Sequence, residues 1–108
     1  MSDVNEITEY ADGVLWFTRE GTLLTIGITE KALDLAGTIQ EIEFPELGDE
    51  YAGGDWIGEI QGKNVDVEIV APLSLRIDEI NEEVRDQFSL LDDDPTGDAW
   101  ILRATILS

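Results

Sequence analysis

Ile57-Gly58-Glu59-Ile60-Gln61-Gly62-Lys63-Asn64-Val65-Asp66-Val67-Glu68-Ile69-Val70 is the stretch that decides how this chain is read. Val65, Val67 and Ile69 alternate with Asp66 and Glu68, the period-two pattern of a strand with one wet and one buried face. Upstream, Ile57 and Ile60 lead into Gln61-Gly62-Lys63-Asn64, a run of turn-forming residues. Residues 57–70 are therefore expected to form one β-hairpin with Gly62-Lys63-Asn64 at or near its tip.

Similar signals extend in both directions. Val14–Phe17 and Leu23–Ile28 read as strands around an Arg19-Glu20-Gly21 turn. Thr29 is a candidate N-cap with Glu30 near the positive end of the helix dipole. Ala32, Leu33, Leu35 and Ala36 supply a short apolar face, which Gly37 stops. Ile39, Ile42 and Phe44 start another extended segment that Pro45 ends, since proline cannot donate to a ladder. Past Ala71-Pro72, Leu75, Ile77 and Ile80 read as a strand. Asn81 caps a second helix carrying Val84, Phe88 and Leu91 at helical spacing up to Pro95. Ala99–Leu107 is a nearly continuous apolar strand. The expected fold is mostly β, a flattened barrel or sandwich with two short flanking helices. Residues 1–12 read as an acidic N-terminal segment, fraying over 1–10, and 13–108 as one domain.

Charge excludes several classes of function. The chain of 108 residues carries 25 acidic and 6 basic residues, a net charge of -19. Phosphate backbones and anionic membranes are repelled by such a surface, so neither nucleic acid nor membrane is an expected partner. A basic protein partner is compatible with it. The scarcity of lysine, only Lys31 and Lys63, also matches a protein of a high-salt cytoplasm. There is no cysteine and no histidine, which removes thiol chemistry, disulfides and the commonest general base and metal ligand. With no secretory pattern at Met1–Glu6 and no membrane-length apolar run, the expected location is the cytoplasm; separately, a monomer is expected.

No catalytic constellation assembles. Asp92-Asp93-Asp94 lacks the ligand spacing and central glycine of a calcium loop and reads as a solvated turn. Gly53-Gly54 has no Walker lysine and reads as a turn needing positive φ. Glu82 and Glu83 are adjacent on a helix and do not face each other. Trp16, Trp56 and Trp100 read as core or rim aromatics. The expectation is a protein that is not an enzyme.

Four blocks resemble the glycine cleavage system H protein family of lipoyl-domain carriers. They are Thr25-Ile26-Gly27-Ile28-Thr29; Phe44-Pro45-Glu46-Leu47-Gly48-Asp49-Glu50; Ala71-Pro72 with Ile80-Asn81-Glu82; and Asp94-Pro95-Thr96-Gly97-Asp98-Ala99-Trp100-Ile101. They run in the family's order from about Gly13 to about Ala104, and no gap is needed from Gly27 to Trp100. The resemblance implies a lipoyl-domain fold, a barrel-sandwich hybrid. It also implies a swinging arm, in which lipoate joined by an amide to a lysine at an exposed hairpin tip shuttles an aminomethyl group between partner enzymes. Partners implied in the same way are glycine-cleavage or lipoate-handling enzymes.

This chain departs from that pattern at the arm. Where the family motif resembles Glu-Ser-Val-Lys-Ala, Gln61-Gly62-Lys63-Asn64-Val65 stands here. Asn64 occupies the carrier position, and its side-chain nitrogen is already an amide that cannot be acylated under ordinary conditions. Gln61 replaces the acid and Gly62 the small hydroxyl. The expectation is therefore an H-like protein without lipoate at Asn64, acting as a protein-docking, scaffolding or regulatory module. The alternative is a working carrier with lipoate on Lys63, whose flexible amine stands one position upstream. A third reading makes the chain an acidic module recruited for an unrelated role. Leu75, where the family has glycine, is expected to fill a small core gap.

Overall fold

The computed structural model describes residues 7–93 and 99–107. In chain order the elements are β1 (Thr8–Tyr10), β2 (Leu15–Glu20), β3 (Leu23–Ile28), α1 (Glu30–Ala36), β4 (Ile39–Glu43), β5 (Glu50–Tyr51) and β6 (Trp56–Gly62). They continue with β7 (Asp66–Val70), β8 (Leu75–Ile80), α2 (Glu82–Asp86), α3 (Leu90–Asp93) and β9 (Leu102–Ile106). The strands form two antiparallel sheets, one ordered β1-β2-β3-β9-β8-β5 and one ordered β4-β6-β7. The mostly-β expectation is met, with sheets that do not close into a barrel.

Both sheets contribute to one core. Leu24, Ile26, Ile77 and Leu102 from the larger sheet join Ile42, Ile60, Val67 and Ile69 from the smaller, all buried. Each such aliphatic side chain contributes about 1.5–3 kcal/mol when fully buried. Val67 and Ile69 point inward while Asp66 and Glu68 stay exposed, as the alternation requires. Leu75 is fully buried in this core, which agrees with its expected gap-filling role.

Local chemistry sets the helix ends. Thr29 Oγ1 accepts from the Ala32 amide at 3.4 Å and donates to the Gly13 carbonyl at 2.6 Å, so one hydroxyl caps α1 and ties it to the loop before β2. Asn81 Oδ1 accepts from the Glu83 and Val84 amides, and its Nδ2 donates to the Trp100 carbonyl at 2.9 Å. No helix among the described residues is long and apolar enough to cross a membrane.

Four expectations change. The second helix is interrupted, because Gln87 leaves helical dihedrals at φ -146 and ψ 87, giving three short helices among the described residues instead of two. Val84 and Leu91 are still fully buried, so two short pieces meet the apolar demand that the spacing expressed. Residues 8–10 do not fray, since β1 pairs with β2 and the Tyr10 hydroxyl donates to the Val70 carbonyl at 2.7 Å. The last strand begins at Leu102, after the Trp100 carbonyl has accepted from Asn81. Val65 belongs to the tip rather than to β7 and is 48% exposed. Residues 1–6 of the acidic segment, Asp94, Pro95 and the carboxylates of Asp92 and Asp93 lie outside the described residues.

Candidate functional site

The hairpin forms where the sequence places it. Glu59 pairs with Glu68, Ile60 with Val67 and Gln61 with Asp66, which leaves Gly62-Lys63-Asn64-Val65 as the connection. This connection does not project freely. The Lys63 amide donates to the Thr38 carbonyl and the Asn64 amide to the Ala36 carbonyl, each at 2.8 Å. Ala36 is the last residue of α1, where a helix leaves carbonyls without an internal partner. The tip supplies one of the missing donors.

Two glycines permit that contact. A Cβ on Gly62 would sit 2.4 Å from the Ala36 carbonyl oxygen and 2.6 Å from the Ala36 methyl, closer than real atoms approach. Gly37 has φ +79, a left-handed conformation natural to glycine at a helix end. A Cβ there would sit 2.7 Å from Asn64 Nδ2, so the Asn64 carboxamide lies over the bare backbone that ends α1. Lys63, Asn64 and Val65 are all exposed.

The structure therefore brings Gln61, Gly62, Lys63 and Asn64 together in one turn. Chemically the two central residues differ. The Asn64 nitrogen has its lone pair delocalised into its own carbonyl, whereas Lys63 presents a primary amine on a four-carbon stem. Sequence reasoning missed Ala36, Gly37 and Thr38, which hold the tip. Gly37 carries a local signal, but only for a helix stop; the contact with Asn64 is tertiary.

The outer face of the smaller sheet is strongly acidic. Glu59 is paired with Glu43 on one side and Glu68 on the other, and Gln61 lies between Glu41 and Asp66 in the next rung. Like charges placed directly opposite destabilise a ladder. The Glu59 carboxyl is held above the usual range by desolvation first and then by Asp66, Glu43 and Glu68, while a hydrogen bond from Gln61 works the other way. Among the described residues there is no cluster of three acidic side chains disposed to hold a metal ion.

The remaining candidates take structural places. Gly54 has φ +92 in a turn where the Ala52 amide donates to Asp55. Glu82 and Glu83 are exposed in the first turn of α2. Trp16 is buried, Trp56 is 45% exposed, and Trp100 is half-buried with the Arg103 guanidinium 4.2 Å from its ring centre.

Comparison with known proteins follows the same lines. The family model described as "Glycine cleavage H-protein" matches residues 8–108. A glycine cleavage system H protein of Carboxydothermus hydrogenoformans is 34% identical over 106 residues, covering 98% of this chain and 82% of that protein. Another, from Clavibacter sepedonicus, is 35% identical over 88 residues, covering 82% of this chain and 72% of its own. The crystal structure of a glycine cleavage system H protein from Mycobacterium marinum superposes with a TM-score of 0.86 over 96% of this chain and 86% of that one. At 24% identity that likeness concerns the fold.

Proposed function

The chain belongs to the glycine cleavage H-protein family, and from that premise we propose that it is a member without lipoate, working as a docking, scaffolding or regulatory module. Its partners on this reading are glycine-cleavage enzymes, to which its relatives' name points, or lipoate-handling enzymes, which the sequence resemblance implies. The family is one of non-catalytic carriers, and this chain is no enzyme.

One observation carries the reading. The Asn64 carboxamide, at the position that the resemblance assigns to the arm, is laid over Gly37 and offers no amine. Gly62 supports it, because the side chain that the family motif carries there would meet the Ala36 carbonyl. On this reading the chain keeps the fold and the hairpin but has no acceptor amine at the position that the resemblance gives the arm.

A specific observation also favours the second reading, lipoate on Lys63: that side chain is exposed at the same tip. Incubation with a lipoate ligase, ATP and lipoate separates the two. The wild-type chain is expected to stay unmodified while a control lipoyl domain is fully loaded. Loading that Lys63→Arg abolishes would establish the carrier reading instead.

A further inference from the structure

We propose that the groove beside the hairpin tip is the docking site for a basic, amphipathic segment of a partner protein. The proposal rests on reading the chain as a docking module, and it names where the partner sits and what chemistry it presents.

The groove has a volume of about 410 Å³, within the range of pockets that take a small ligand and enough for a few peptide side chains. Its apolar part comes from four parts of the chain that the fold brings together: α1, the hairpin tip, the loop before β2 and β7. Leu35 on α1 and Val65 on the tip are each 48% exposed, and both line it together with Val14 and Val70. One exposed aliphatic residue is ordinary. Two at the same concavity leave apolar surface that burial of the core does not account for.

The polar wall fixes the sign of the occupant. Glu59, Asp66 and Glu68 line the groove, and among the described residues no lysine or arginine does. Glu59 and Glu68 are direct cross-strand partners, so the wall repels itself until a cation sits between them. A segment alternating apolar and basic residues satisfies both walls: its aliphatic side chains cover Leu35 and Val65, and its cations reach Glu59 and Glu68. A second copy of this chain is a poor occupant, since each carries a net charge of -19.

Titration of the unmodified full chain, labelled for NMR, with three synthetic peptides of equal length tests this. One alternates Lys and Leu, one Lys and Ser, one Glu and Leu. The Lys/Leu peptide is expected to bind at low salt and shift the amides of Leu35, Val65, Asp66 and Glu68. The other two peptides are expected to bind at least about tenfold more weakly, as is Lys/Leu to Leu35→Ser/Val65→Ser or to Glu59→Gln/Glu68→Gln. All four substituted side chains are exposed or half-buried, and thermal melts confirm that the variants fold. Absence of binding, equal binding by Lys/Ser, shifts elsewhere, or undiminished binding by either double variant overturns the proposal. A concentration-dependent dimer lost on Val65→Ser also overturns it, by making a second copy the occupant. A lipoyl adduct on the native protein would remove the functional reading but leave this titration standing. Failure of the titration leaves the question of lipoate untouched.

Discussion

Gly62 separates the hairpin tip from α1 by a space that no side chain can share, since its Cβ would fall 2.4 Å from a backbone oxygen. Gly62→Ser, which brings in a hydroxyl like that of the family motif, is therefore expected to destabilise the fold by about 1–3 kcal/mol, the range of overpacked sites. Denaturant titration reads the loss. Amide exchange reads its cause, because the Asn64 amide should exchange faster once its bond to Ala36 is strained. The Tyr10 hydroxyl makes a second residue-scale case. Burial pushes its ionisation well above the ordinary tyrosine range, so the folded state holds a proton that the unfolded chain releases near pH 10. Stability from this group is thus fully present below pH 10 and is lost as pH rises beyond it. Tyr10→Phe is expected to cost about 1 kcal/mol at neutral pH through the lost bond to Val70. It should also flatten the decline of the melting temperature above pH 10; an unchanged decline would assign it to other groups. The lack of an amine at Asn64, the position that the resemblance assigns to the arm, was legible in the sequence because residue type alone decides it. The cradle under it was not, because Gly37 and Asn64 meet only through the fold.

At the scale of elements, caps and periodicity carried most of what could be read. Thr29, Gly37 and Asn81 were found as helix ends because their chemistry is local. The break at Gln87 was hidden, since Val84, Phe88 and Leu91 keep helical spacing across it. β1 was hidden for the opposite reason: three residues in an acidic stretch show no period, and the strand depends on Tyr10 packing edge-on against Phe17 with ring centres 5.6 Å apart. Asn81 offers the clearest test, because it both caps α2 and donates to Trp100. Asn81→Asp retains the capping oxygen but loses the donor, whereas Asn81→Ala loses both. Asn81→Ala is expected to cost about 1–2 kcal/mol for the cap beyond whatever Asn81→Asp costs. Equal losses in the two variants would show that the cap contributes nothing.

Across the whole molecule, charge is the dominant feature that the sequence disclosed, and its arrangement is what the structure added. Composition gave the net charge of -19; only strand register could place Glu43, Glu59 and Glu68 side by side in one rung. Self-repulsion of that size opposes the compact state and is screened by salt. The melting temperature is accordingly expected to rise steadily with sodium chloride from low ionic strength, and less so in Glu59→Gln/Glu68→Gln; a flat response would mean that the repulsion is already compensated. The fold class was legible because strand patterns and matching blocks extend along almost the entire chain. The candidate site was legible only in part, as four tip residues that, on the resemblance, leave no amine where the family carries its arm. Intact mass of the protein purified from its native cells, with peptide mapping of the tip, tests that argument most directly. The expected result is the unmodified mass, with Lys63 and Asn64 bare while a lipoylated protein from the same cells is fully loaded. A mass increase of one lipoyl group mapped to Lys63 would contradict it and make the chain a working carrier with a displaced arm.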